Sequence, residues 1–258
     1  MIRNPEDVRP TLPIFHMKPV LIIQTGHAPD TIRARHGDFP HWFRLSAGLR
    51  PRQLCVVNVA AGETLPLPQE VAGAIITGSA AMVTERATWS ERTAVWIRTA
   101  VDAELPLFGV CFGHQLMAHA LGGRVDYLSG GREIGTLPIT LSADVPHDPL
   151  VHALPPVFRA HTTHEQGVIE APAGAVVLAR SARDPHQLLR YGPHALSTQF
   201  HPEFSADVMR AYIKRKHADM HREGSDPVQA HGAVAATPIA RNLLRRFSRQ
   251  HGWHAISG

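Results

Sequence analysis

Short runs of apolar residues alternate along this chain with longer stretches in which apolar positions recur at helical spacing. That arrangement predicts an α/β protein with a largely parallel sheet. Val20-Leu21-Ile22-Ile23, closed by Thr25-Gly26, reads as the first buried strand. A polar loop is expected next, then a helix over Asp38 to Leu49. Leu54 to Val59 and Ala74 to Thr77 read as the second and third strands, the latter stopped at Gly78. From Trp89 to Val101 the positions Val95, Ile97 and Val101 fit a helix, with Ser90 as its cap. Leu107 to Val110 is then a buried strand, and Gln115 to Leu121 a helix that ends at Gly122-Gly123.

The second half changes character. Ile134 to Leu141, Val157 to Ala160, Gly167 to Glu170, Val176 to Ala179 and Ala195 to Phe200 read as short strands joined by turns. They suit an antiparallel extension or the edge of the same sheet. Ser205 to Lys216 is helical by spacing, with Val208, Tyr212 and Ile213 on one face. His221 to Ala236 is expected to be a linker or mobile loop. Thr237-Pro238 resembles an N-cap with proline at the first helical position, and Ile239, Leu243, Leu244 and Phe247 form a stripe before a stop at Gly252.

Composition narrows the class. The 258 residues are 44% hydrophobic and 19% charged, enough for one large or two small cores and unlike disordered or fibrous chains. The formal charge of +4 comes without a long Lys/Arg run, so no nucleic-acid partner is expected. Arg241, Arg245, Arg246 and Arg249 read as one solvated helix face. Two cysteines make no disulfide framework, and with neither a signal core nor about 18 consecutive apolar residues the expectation is cytoplasmic, without a membrane. His161 and His164 lack the partners of a zinc set, and no phosphate-binding GxxxxGK[ST] loop is present, so no metal and no cofactor are expected.

The chemistry concentrates in Leu107-Phe108-Gly109-Val110-Cys111-Phe112-Gly113-His114-Gln115. A hydrophobic strand runs into a cysteine with glycines two residues before and after it, and a helix follows. This is the pattern of a nucleophile elbow, in which a tight strand-to-helix turn lifts the nucleophile clear of the sheet. The helix N-terminus favours thiolate over thiol there. Cys55, within Leu54-Cys55-Val56-Val57, reads instead as a small buried hydrophobe. A thiolate needs a base, and the base an orienting acceptor. His201 and Glu203 in Phe200-His201-Pro202-Glu203-Phe204 supply both, at the end of a predicted strand and in a turn that Pro202 extends.

Together, Gly109-Val110-Cys111-Phe112-Gly113-His114-Gln115 and the distant Phe200-His201-Pro202-Glu203 resemble the triad-type class I glutamine amidotransferase family. Gly122-Gly123, Arg132-Glu133-Ile134-Gly135, His164-Glu165-Gln166-Gly167-Val168 and Ala173 to Ala179 are similar to the amidotransferase domain of GMP synthase and its stand-alone relatives. The resemblance covers roughly Pro19 to Ser205. It implies a flavodoxin-like open, mostly parallel sheet flanked by helices. It divides the chain into an extension (1–17), an amidotransferase-like domain (18–216), and a linker with a C-terminal helix (217–258).

By the same resemblance Cys111 would be the nucleophile, His201 the base and Glu203 its orienting residue. Gln115 would line the glutamine pocket, and the oxyanion would be held by the backbone N–H of Phe112 and one from the Gly78-Ser79-Ala80 loop. That loop departs from the commoner Gly-Gly-Pro form. The implied activity is release of ammonia from the glutamine side chain through a γ-glutamyl thioester. A γ-glutamyl hydrolase of larger amides or peptides, a non-catalytic regulatory module and an unrelated cysteine peptidase remain alternatives. The segment after Ser205 is too short for a synthetase, so any ammonia acceptor is expected to be a separate subunit.

Overall fold

In the first strand Val20 and Ile22 join the apolar cluster on one face of the sheet, and Leu21 and Ile23 join the cluster on the other. A strand buried on both faces needs this continuous apolar run, and helices must cover it twice. The computed structural model describes residues 18–254 apart from Asp144, Pro146 and His147, so the 1–17 extension lies outside the described residues.

The elements in chain order are β1 (Val20–Gln24), α1 (Asp30–His36), α2 (Phe39–Ala47), β2 (Leu54–Asn58), β3 (Gly73–Ile76), α3 (Thr88–Asp102), β4 (Leu107–Val110) and α4 (Phe112–Ala120). Then come β5 (Arg124–Tyr127), β6 (Glu133–Leu141), β7 (Val157–His164), β8 (Gln166–Glu170), β9 (Val176–Arg180), β10 (Leu188–Gly192) and β11 (Ala195–Thr198). Four helices close the chain: α5 (Ala206–Arg215), α6 (His217–Arg222), α7 (Pro227–Gly232) and α8 (Pro238–Gln250).

Nine strands form one sheet in the order β2-β1-β3-β4-β11-β10-β9-β6-β7, and β5 pairs with β8 in a small second sheet. The pairs from β2 through β11 are parallel, and those from β11 through β7 are antiparallel. The doubly wound half and its antiparallel extension therefore belong to one mixed, mostly parallel-centred sheet, as the strand pattern predicts. β3 and β11 flank β4, so their carboxyl ends crowd around the end of β4. Open α/β sheets bind ligands at such ends. No helix among the described residues is long and apolar enough to cross a membrane.

Several local expectations need correction. The stretch after Thr25-Gly26 holds α1, which buries only Ile32 and therefore shows no apolar period. Asp30 in its first turn and Arg33, Arg35 and His36 in its last suit the helix dipole instead. β5 is largely exposed, and β10 follows its two buried leucines with Arg190, Tyr191 and Gly192, so neither carries an apolar run or a clean alternation. Ser90 is buried inside α3 rather than capping it, whereas Thr237 does stand at the N-cap of α8 with Pro238 first in the helix, its side chain making no cap bond. Cys55 is only half-buried, because β2 is an edge strand. The 221–236 segment is no plain linker, since it carries the end of α6 and all of α7.

α8 is part of the main core. Leu243, Leu244 and Phe247 are fully buried, and the Phe247 ring packs edge-on against Phe108 of β4 at 5.2 Å. The C-terminal helix thus braces the strand that delivers Cys111. Phe247→Ala is expected to destabilise the whole protein by about 3–5 kcal/mol, the usual cost of emptying a buried phenylalanine site. Chemical denaturation followed by circular dichroism checks this. An unchanged midpoint would mean that α8 is a dispensable appendage.

Candidate active site

Cys111 sits where β4 ends and α4 begins, and its backbone is the strained point of the turn. Its φ of 53° and ψ of −103° lie where non-glycine residues rarely go, at a cost of about 1–3 kcal/mol. Hydrogen bonds on both sides hold it there. The Cys111 N–H donates to the Thr198 carbonyl of β11 at 2.9 Å, and the Gly113 N–H to the Thr77 carbonyl after β3 at 3.1 Å. The flanking glycines are required by close approach. A Cβ on Gly113 would collide with the Ile76 carbonyl, and one on Gly109 would lie 2.6 Å from the Gly113 carbonyl oxygen.

The parallel pairing of β4 with β11 brings His201 to this turn despite its distance in sequence. The Glu203 Oε1 accepts from His201 Nδ1–H at 2.8 Å, leaving Nε2 without a protein hydrogen-bond partner. Phe204 stacks on the His201 ring at 4.1 Å, Tyr212 stacks on Phe204 at 4.9 Å, and Trp42 meets Phe204 edge-on. This aromatic pile fixes the plane of the imidazole, and the Glu203 bond fixes its tilt.

Gly78 faces both groups. A Cβ there would lie 3.4 Å from His201 Cε1 and 3.7 Å from Cys111 Cβ. Thr25 secures the loop, its N–H donating to Thr77 Oγ1 at 3.1 Å, its hydroxyl to the Gly78 carbonyl at 2.9 Å, and its carbonyl accepting from Ser79 Oγ at 2.8 Å. Among the described residues the N–H groups of Phe112 and Gly78 take no acceptor. Gln115 lines the same cavity, with its Nε2 committed to the Gln166 carbonyl at 2.7 Å and Gln199 Oε1 at 3.0 Å. Of the six residues singled out by the sequence, Cys111, Phe112, Gln115 and His201 line one cavity of about 180 Å³, while Gly78 packs against Cys111 and His201 and Glu203 bonds to His201.

The surrounding charges sort the histidines. Burial, the largest influence on His201, favours the neutral ring, but the Glu203 carboxylate and the Cys111 sulfur outweigh it and push the pKa up to about 10. Burial carries His114 down to about 3 and His161 down to about 4, helped by neighbouring cations, so both rings are neutral. Sequence reasoning set aside His164 and overlooked Thr163, whose carbonyl lies 3.9 Å from Cys111 Sγ. It also missed the role of Gln166 and the cations Arg132, Arg215 and Lys216 on the cavity wall. Nothing local marks these residues, since β7, β8 and α5 bring them together only through the sheet order. Among the described residues no group of His, Cys, Asp and Glu side chains is arranged to hold a metal ion.

Comparison with known proteins places the chain in a family and matches its fold. The sequence model of the family described as Glutamine amidotransferase class-I matches residues 52–220, more than half of the chain. The chain belongs to this family. A glutamine-hydrolyzing GMP synthase subunit from Methanopyrus kandleri is 32% identical over 120 residues, 44% of this chain and 63% of that protein. Gamma-glutamyl peptidase 4 of Arabidopsis thaliana is 30% identical over 151 residues, 58% of this chain and 60% of that protein. The chain thus spans less than two-thirds of the length of these curated relatives. A glutamine amidotransferase from Thermotoga maritima shares the fold, with a TM-score of 0.73 at 21% identity over 92% of this chain and 98% of that one. For this amidotransferase-family chain, the mixed sheet flanked by helices matches the fold of that neighbour.

The raised His201 value has a defined sign. Its protonation contributes stability that is complete below the ordinary histidine value of 6.5 and is lost as pH rises through about 10. Nitrogen-resolved NMR is expected to find the ring protonated through neutral pH and titrating near 10, with Glu203→Gln lowering that value. Titration of the wild-type ring near 6.5 would contradict the charge arrangement.

Proposed function

We propose that this chain hydrolyses the side-chain amide of glutamine, or of a γ-glutamyl small molecule, through a thioester on Cys111. The observation that carries the reading is the cysteine on its strained turn, beside a His201–Glu203 couple and an open cavity. The Cys111 sulfur attacks the amide carbonyl carbon, and the carbonyl oxygen takes up the electron pair as an oxyanion. The unclaimed N–H groups of Phe112 and of the Gly78 loop are the donors for that oxygen. His201 gives its Nε2 proton to the nitrogen, the C–N bond breaks, and ammonia leaves. The now neutral ring takes a proton from water as the water attacks the thioester, which releases the acid and regenerates the thiolate–imidazolium pair. Glu203 touches no reacting atom. It holds the ring's tautomer and stabilises its charge.

Hydrolysis of a larger γ-glutamyl amide or peptide is the second reading. It uses the same chemistry, and the likeness to gamma-glutamyl peptidase 4 favours it, together with a cavity wall that carries Arg132, Arg215 and Lys216 beyond the reacting centre. If the product is ammonia, a separate synthetase subunit is the natural acceptor, a reading supported by the likeness to the Methanopyrus kandleri GMP synthase protein. A panel of glutamine, γ-glutamyl amines and γ-glutamyl peptides separates the two readings by product.

On the best substrate of that panel, Cys111→Ala is expected to abolish turnover, because no other atom can form the thioester. His201→Ala should cost about 10²–10⁴-fold, the usual worth of a positioned acid–base group. Glu203→Gln should cost less, because a thiolate needs less help from its base than a serine would. Steady-state hydrolysis by folded variants checks the order. Wild-type turnover by His201→Ala would overturn the mechanism.

A further inference from the structure

Tyr212 and Arg215 stand one helical turn apart on α5, and both line the cavity that holds Cys111. α5 starts soon after the turn that carries His201, so the three side chains come from one short run of chain. The Phe204 ring lies between the first two, stacked on His201 at 4.1 Å and on Tyr212 at 4.9 Å. The α5 wall is therefore the His201 side of the cavity.

Two groups on this wall have no task in the thioester chemistry. The first is the Arg215 charge. The other cations at this end are matched: Arg132 meets Glu165 at 2.6 Å and Glu223 at 3.0 Å, Lys216 lies 3.8 Å from Glu165 and 3.4 Å from Asp219, and Arg222 also pairs with Asp219. Arg215 is exposed and meets no carboxylate among the described residues. The helix dipole favours a cation in the last turn of α5, but Lys214 stands there too, exposed and off the cavity.

The second is the Tyr212 hydroxyl. It makes no hydrogen bond among the described residues, yet it is not one of the enclosed polar atoms, so it is open to solvent. Burial of the ring, together with the charges of Glu203 and Cys111, holds its pKa well above the ordinary phenol value, while Arg215 pulls the other way. The hydroxyl is thus a donor with a guanidinium close by. Asp38, the remaining carboxylate near it, is spent on the Ala28 and Phe39 N–H groups and on His27.

A guanidinium beside a hydroxyl, with no acceptor inside the protein, is a donor pair suited to a carboxylate. Its place in the cavity says which carboxylate. His201 protonates the departing nitrogen, so whatever that nitrogen carries lies on the His201 side. Glutamine carries only hydrogens there. An amine that is itself an amino acid carries a carboxylate two bonds from the nitrogen.

We propose that Tyr212 and Arg215 form a subsite for a carboxylate on the leaving amine, which makes γ-glutamyl amino acids, rather than free glutamine, the preferred substrate class. The step keeps its chemistry with a different leaving group. The C–N bond breaks, His201 Nε2 gives its proton to the nitrogen, an amino acid leaves in place of ammonia, and water then clears the thioester. The proposal rests on Cys111 being the nucleophile that attacks a γ-glutamyl group.

Steady-state hydrolysis of γ-glutamyl-alanine, its C-terminal amide and glutamine tests it. The wild type is expected to favour the free acid over either of the others in kcat/KM by about 10-fold or more, in line with one charge-assisted hydrogen bond. Arg215 is exposed, so its variants should fold. Arg215→Gln should lower the acid-to-amide ratio about 10-fold, mainly through KM for the acid, and Tyr212→Phe about 3-fold, while Arg215→Lys keeps most of it. Arg215→Glu should turn the selectivity toward γ-glutamyl-diaminoethane, whose leaving amine ends in an ammonium, a reversal that a merely structural role would not produce. A wild-type acid-to-amide ratio near 1, an unchanged ratio in folded Arg215→Gln, or no hydrolysis of γ-glutamyl-alanine overturns the subsite. If a glutamine-like diazoketone also fails to alkylate Cys111, the nucleophile reading falls as well; if it alkylates Cys111, that reading stands and the subsite alone is lost.

Discussion

The turn at Cys111 can keep its positive φ only because two neighbouring strands grip it. β11 holds the cysteine N–H through Thr198, and the end of β3 holds the Gly113 N–H through Thr77. Both bonds require α4 to start almost in contact with β3, where a side chain on Gly113 would meet the Ile76 carbonyl. The strain, the glycine bracket and the sheet order are thus one constraint. Once β3, β4 and β11 are neighbours in parallel, Gly78, Cys111 and His201 must meet at their carboxyl ends. α8 supports the arrangement from behind through Phe247 and Phe108.

Electrostatics then divide the work among side chains of one type. The environments of His201, His164, His114 and His161 separate them into two whose pKa is raised and two whose pKa is lowered. His201 and His164 each face a buried carboxylate, whereas His114 and His161 face cations and a dry interior. Buried imidazoles stay neutral unless an anion repays the desolvation, so Glu203 and Glu133 decide where positive charge stands. One carboxylate serves the ring beside Cys111, and the other serves the ring at the end of β7.

Local motifs made part of this legible in the sequence. A strand running into Gly-Val-Cys-Phe-Gly, and a strand running into Phe-His-Pro-Glu, each describe their own turn, so Cys111, His201 and Glu203 could be picked out without knowing how the strands pair. The continuous apolar runs of β1, β3 and β4 likewise marked a sheet covered on both faces. Contacts that depend on strand order left no such mark. Thr25 supports the Gly78 loop only because β1 lies beside β3, and Glu133 meets His164 only through the β6–β7 register. α1, α7 and β5 escaped for a different reason, being too short or too lightly buried to show a period, and β10 because only its two leucines are apolar and buried. The sequence could name the residues of the two turns but not those packed around them.

A direct measurement on the bond itself puts most at stake. The protein would be mixed with its best γ-glutamyl substrate, quenched in acid within the first turnovers, digested, and its peptides weighed. The account predicts a γ-glutamyl adduct on the peptide carrying Cys111, absent from the Cys55 peptide and lost in Cys111→Ala. Substrate turnover with no adduct on Cys111 under conditions that preserve thioesters, or an adduct on Cys55, would contradict it.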